Sequence, residues 1–284
     1  MVRDPLMARR NWANRLALAS TGLCALVTVS VLFFLLGYIA VNGIGALNWA
    51  FFTQLPKPVG EPGGGMANAI VGTGKLLFLA SLIGVPIGFF GGVYLAEFGR
   101  NGKIAFWVRY ATDVLNGVPS IVIGIFAYVL VVLPMKSFST LAGGFALGIM
   151  MIPIAVRTTE EFLKLIPASI REAADALGVQ RWKTILFVVI PAAFRGLLTG
   201  ILLDLARVAG ETAPLLFTAL NNRVWSHGWM EPTASLPVMI YTYAIAPYED
   251  WHRQAWAAAL VLMLLVLVVN GGARMVLPRR SVVV

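Results

Sequence analysis

Three charged residues, Asp204, Arg207 and Glu211, stand three and four residues apart in a largely apolar stretch, behind Gly196 and Gly200. At helical spacing the five positions fall on one stripe, and the glycines leave room for close approach by a neighbour. A planar, permanently charged guanidinium suits a tetrahedral oxyanion, and a carboxylate one turn away suits an ion pair for which such an anion competes. The chemistry indicated is recognition and passage of an anion, with no bond made or broken. Each charge near the centre of a membrane helix costs about 2.5–3.5 kcal/mol, so three unpaired ones cost about 8–10. The fourteen large apolar residues from Ile185 to Val208 return only about 6 kcal/mol, at roughly 0.45 each. The stripe must therefore face protein or water. A route lined by Arg207 and an ion-paired packing seam both satisfy that condition.

Two further residues belong to the same question. Ser120 follows Pro119 near the middle of another apolar stretch, where proline removes a backbone bond and opens a half-helix whose amides suit an oxyanion. A kink made only for packing is the simpler alternative. Lys75 lies in an apolar stretch as well, placed either to snorkel outward or to receive an anion at the entrance.

The elements that must hold these residues are membrane helices. Of 284 residues, 59% are hydrophobic and 12% charged, and the mean hydropathy is +0.82, a composition that a water-soluble domain cannot cover. Six stretches are long enough to cross about 30 Å of hydrocarbon as helix: Leu16 to Val41, Ala67 to Ala96, Ala105 to Leu133, Ser139 to Val156, Thr184 to Glu211 and Gln254 to Leu277. The first is too long for a secretory signal and is expected to stay as a helix. A seventh, Leu236 to Ala246, is too short to span and carries Pro237, which reads as an interfacial or re-entrant segment. The fold class is all-α and polytopic. Gly84, Gly88 and Gly92, spaced four apart, predict a close helix contact in the second span.

Lys and Arg between the spans divide fifteen to four. One side holds Arg3, Arg9, Arg10, Arg15, Arg100, Lys103, Arg109, Arg157, Lys164, Arg171, Arg181, Lys183, Arg274, Arg279 and Arg280; the other holds Lys57, Lys136, Arg223 and Arg253. The bias puts both termini in the cytoplasm, as an even number of spans requires. The net charge of +9 is dispersed among apolar segments, which excludes a nucleic-acid surface and leaves membrane lipid as the surrounding. Cys24 is the single cysteine, so neither a disulfide framework nor a cysteine metal site exists. The outer loop Thr212 to Arg253 is rich in rings, including Trp225, Trp229, Tyr241, Tyr243, Tyr248 and Trp251, which suit the headgroup boundary or a soluble partner.

The cytoplasmic loop 160–183 contains a short helix with its own signals. Ser169 and Glu172 have capping-box spacing, Ile170, Ala173, Ala174 and Leu177 form one apolar face, and Gly178 stands where helices stop. Such a helix fits either a partner surface or the membrane surface. No nucleotide site accompanies it: Gly72-Thr73-Gly74-Lys75-Leu76 lacks the first P-loop glycine, because Ala69 stands there, and Leu76 replaces the magnesium-binding hydroxyl.

Glu172-Ala173-Ala174, Gly178 and Val188-Val189-Ile190-Pro191 resemble the EAA loop of ABC importer permeases, with conservative departures at Val188 and Ile190. Four more stretches narrow the resemblance to the phosphate-specific permease subunits. They are Gly64 to Thr73 with Tyr94-Leu95-Ala96-Glu97, Gly117 to Gly124, Arg157-Thr158-Thr159-Glu160-Glu161, and Arg207 to Thr218. The resemblance implies the architecture of a type I ABC importer permease: 1–66 carries the cytoplasmic N-terminus, first span and external loop, 67–277 the core of five spans, and 278–284 a cytoplasmic tail. It further implies a bacterial inner-membrane location and no active site on this chain. A second related permease subunit, cytoplasmic ATPase subunits that bind ATP and Mg, and an external phosphate-binding protein are the expected partners. Glu172, Ala173, Ala174 and Gly178 would then couple to the ATPase. An oxyanion other than phosphate (phosphonate, sulfate or molybdate) and an ion-coupled secondary transporter are the competing readings; the second leaves the capped cytoplasmic helix without a purpose.

Overall fold

Long apolar stretches have no water to satisfy their backbone, so each closes its own hydrogen bonds as helix. The computed structural model describes residues 5–59, 61, 63–99 and 102–276, and among them there is no strand. The expected tail 278–284, the span end at Leu277 and the basic residues Arg3, Arg100, Arg279 and Arg280 lie outside the described residues.

The described residues form eleven helical segments in order: α1 (Pro5–Ile44), α2 (Trp49–Thr53), α3 (Ala67–Phe98), α4 (Lys103–Gly117), α5 (Ser120–Met135), α6 (Thr140–Lys164), α7 (Ala168–Ala176), α8 (Arg181–Ala209), α9 (Ala213–Thr218), α10 (Leu236–Ala244) and α11 (Glu249–Val276). Five of these, α1, α3, α6, α8 and α11, are long and apolar enough to cross a membrane, and α4 with α5 brings the total to six. The third span is interrupted where Pro119 is expected to open or kink it. It breaks at Val118-Pro119 with a bend of 103°, because proline lacks the N–H that would continue the ladder and pushes the residue before it into extended backbone.

α3 and α6 form the most extensive contact in the bundle. A Cβ on Gly84, Gly88 or Gly92 would lie 2.5, 2.3 or 2.4 Å from the Cβ of Met151, Ala155 or Thr159, so the expected glycine seam exists and its partner is α6. Gly196 and Gly200 of α8 lie in the same way against Phe162 and Thr158. Around this seam pack the buried Leu76, Leu77, Leu147, Met151 and Val208. α1 touches mainly α11, where Gly43 meets the Trp256 carbonyl, and its other faces are bare.

At the end of the bundle away from α7, loop 219–235 folds over the N-termini of α3 and α6. Asn68 Nδ2 donates to the Asn222 carbonyl at 2.6 Å, and the Thr73 hydroxyl accepts from the Leu236 amide at 2.9 Å. The first amides of α6 are satisfied there too: Thr140 and Leu141 donate to the carbonyls of Glu231 and Trp229, each at 2.9 Å. α10 is a nine-residue helix that packs against α3 and α11, with Leu236 to Met239 and Tyr243 buried. In the aromatic loop Tyr243 is buried and stacks on Trp251 at 4.3 Å, while Trp225, Trp229, Tyr241 and Tyr248 are exposed.

Candidate transport site and coupling helix

The break between α4 and α5 and the C-terminal half of α8 meet in one narrow cleft. Arg207 lines it with Asn116, Val118, Ile123, Pro153 and Val208 among others, in a space of about 20 Å³. That is room for roughly one water molecule, so in this conformation the cleft does not admit a tetrahedral oxyanion. α5 is brought close by Gly124, where a Cβ would lie 2.7 Å from Pro214 Cα in α9. Ser120 opens α5 beside the cleft without lining it.

The stripe of five divides where α8 ends. Gly196, Gly200 and Asp204 face into the bundle, while Arg207 is exposed. Asp204 is 2% exposed, and neither of its carboxylate oxygens has a hydrogen-bond partner. The expected ion pair of Arg207 with Asp204 or Glu211 is not formed. For Glu211 the reason is backbone: α8 stops at Ala209 and Gly210 closes it, so Glu211 sits on the link to α9 and loses the helical spacing from Arg207.

Lys75 belongs to a different place. Its Nζ donates to the Ser226 carbonyl at 2.6 Å and lies 5.8 Å from the Trp229 ring centroid, so it pins loop 219–235 and does not share the cleft with Arg207.

α7 carries the loop helix anticipated from sequence, with one correction. It begins at Ala168 with Pro167 as its cap residue, so Ser169 lies inside the first turn and makes no capping bond. Its stop is as expected. Gly178 has φ +70°, its amide donates to the Asp175 carbonyl at 2.9 Å, and the Val179 amide donates to Ala174 at 3.1 Å. Ala174 is buried and Ile170 half-buried, whereas Glu172, Ala173 and Leu177 face outward, Leu177 at 83% exposure. The outward face is the one a partner would meet.

Sequence reasoning named Glu97 and Glu160 only within stretches of resemblance and gave no role to these buried acids, which tie α7 and its surroundings to the bundle. Glu97, at the π-helical end of α3, is 5% exposed and takes Arg171 Nη2 at 2.6 Å and Nε at 3.2 Å. Glu160, 1% exposed in α6, takes Arg109 Nε at 2.8 Å and Lys164 Nζ at 2.5 Å, with Arg157 Nη1 at 3.5 Å. Arg157 also pairs with Asp113 of α4. The available signal was that Glu97 and Glu160 are acids at the ends of apolar spans on the strongly basic side, where burial demands a cation. A cavity of about 540 Å³ opens beside these groups, between Glu97, Arg109, Lys164, Arg171, Glu172 and Arg181.

The chain is 44% identical over 279 residues to the phosphate transport system permease protein PstA of Yersinia pestis, covering 98% of this chain and 95% of the relative. It is 44% identical to the PstA of Haemophilus influenzae, covering 92% of each, and 35% identical to the probable ABC transporter permease protein YqgI of Bacillus subtilis, covering 93% and 95%. Its fold matches a chain of the MetNI methionine ABC transporter in an inward-facing crystal form, with TM-score 0.58 at 20% identity over 74% of this chain and 92% of that one. Residues 84–282 match the family model of the binding-protein-dependent transport system inner membrane component, and the chain belongs to that family.

Proposed function

We propose that this chain is the membrane permease subunit of an ATP-driven importer that carries inorganic phosphate into the cytoplasm. The similarity to proteins named as phosphate transport permeases, over nearly the whole chain, carries the choice of substrate. The chain supplies half of the route, a second related permease subunit the other half, and separate ATPase subunits the energy. An external phosphate-binding protein delivers the anion, and both termini lie in the cytoplasm.

On this reading the route's work is to lower the cost of stripping water from a multiply charged oxyanion. Arg207 faces the cleft at the broken third span; among the described residues it forms no hydrogen bond or salt bridge and meets Asp204 only through space, which leaves its fork of donors for a phosphate oxygen pair. The cleft must widen for that to happen, and widening is what ATP-driven closure of the ATPase subunits supplies through α7. Lys75 acts at a distance, by holding loop 219–235. The test is uptake of radiolabelled phosphate by cells stripped of their other phosphate importers and given this chain with its partner subunits. Uptake is expected only with a hydrolysis-competent ATPase; none in a fully assembled complex contradicts the proposal.

A further inference from the structure

We propose that Glu97 is a positioning residue for energy coupling: it clamps the inward side of α7 to the end of α3, so that movement of α7 moves the α3–α6 pair. The inference rests on the reading of α7 as the helix that docks the ATPase.

α7 has nine residues and is joined to its neighbours by the Leu165–Pro167 link on one side and the Gly178 stop on the other. A helix so short, held only by its two links, would take up a partner's push by tilting, and little would reach the membrane. Arg171 removes that freedom. Its Nε and Nη2 reach the Glu97 carboxylate, its Nη1 donates to the Ile166 carbonyl at 2.7 Å, and Nη2 also donates to the Leu163 carbonyl at 3.0 Å. One guanidinium thus joins α7, the last turn of α6 and the end of α3. Arg181, from the other flank of the loop, donates to the backbone carbonyl of Glu97 and lies over the Phe98 ring at 5.0 Å.

Both flanks of the loop therefore close on one residue, by its side chain and by its carbonyl. From there the path runs through a close seam, because α3 meets α6 at Gly84, Gly88 and Gly92, whose backbone lies against Cβ atoms and carbonyl oxygens of α6. α6 in turn contributes Met150, Pro153 and Ile154 to the cleft of Arg207. Displacement at α7 is thus passed to the site through an unbroken series of contacts. Arg171 keeps its carbonyl bonds when Glu97 loses its charge, so the substitution weakens the clamp while leaving α7 folded.

The test uses the complete complex in proteoliposomes, reading phosphate moved per ATP hydrolysed. Glu97→Gln is expected to keep its ATPase and hydrolyse ATP while this ratio falls about tenfold, within the range of coupling between distant sites. Arg171→Lys, which keeps charge without the fork, is expected to lower it too, and the double variant to be no worse than the poorer single one. If Glu97→Gln does not assemble, Glu97→Asp is read in its place with the same expectation. A wild-type ratio in an assembled Glu97 variant overturns the clamp, and so does failure of both variants to assemble, which would make residue 97 a folding residue. Leu177→Glu separates the underlying reading: it should release the ATPase, and retention of a normal, coupled ATPase would show that α7 is not the docking helix, whatever Glu97 does.

Discussion

Arg207 and Asp204 are three residues apart on α8 and form no ion pair: the carboxylate is buried without a hydrogen-bond partner, and the guanidinium faces outward at the cleft. A seam held by that pair would need the two in contact. Arg207→Ala should therefore leave the abundance of the assembled complex unchanged while uptake falls tenfold or more, about the loss of one or two charged hydrogen bonds. Arg207→Lys should fall between, retaining charge without bidentate geometry. An assembled Arg207→Ala complex that transports phosphate at the wild-type rate removes the residue from the route.

Gly178→Leu should weaken ATPase docking or uncouple hydrolysis from transport. A Cβ there meets nothing within 4 Å, so the cost is conformational only, about 1–2 kcal/mol for a left-handed residue that is not glycine. The bundle should fold, and the damage should be confined to how the chain leaves α7. Co-purification of the ATPase and phosphate-stimulated hydrolysis measure this.

Gly88→Val should do the opposite, destroying the fold while touching no functional group. Its Cβ would lie 2.3 Å from the Cβ of Ala155, so α3 and α6 must separate or distort, at about 1–3 kcal/mol or more. The expected outcome is low abundance and early aggregation on heating in detergent. Substitution of Gly102, where a Cβ meets nothing within 4 Å, is the control that should be silent.

The topology makes a separate prediction. Asp175 is exposed on α7, on the side where fifteen of nineteen inter-span basic residues fall. Asp175→Cys in a Cys24→Ser background should react with an impermeant thiol reagent only after the cells are lysed. Labelling in intact spheroplasts would invert the assignment.

Much of this architecture is legible in the residue order because membrane helices are local objects. The spans follow from apolar length, the seam from three glycines at a spacing of four, the stop at Gly178 from residue type, and the broken third span has its cause in Pro119. What spacing misled was the stripe: it assumed that α8 runs through Glu211, whereas Gly210 ends it first. Ser169 was misjudged because Pro167, not the serine, is the residue at the cap of α7. Lys164 and Arg157 stand at helical spacing from Glu160, but the cross-helix partners of Glu97 and Glu160 were out of reach for another reason. Arg171 is 74 residues from Glu97, and Arg109 is 51 from Glu160. No periodicity within one helix reports a contact that only the packing of α3, α4, α6 and α7 creates.

The central claim, that the chain is a route for phosphate powered by a separate ATPase, is tested most directly in proteoliposomes holding this chain, its companion permease subunit and the ATPase, with the binding protein on the outside. Uptake and ATP hydrolysis are measured together for phosphate, sulfate and molybdate. The account predicts that phosphate stimulates both by about tenfold or more over the other anions, and that no uptake occurs on an ion gradient without ATP. Equal or greater stimulation by sulfate or molybdate, or phosphate uptake driven by the gradient alone, would contradict it.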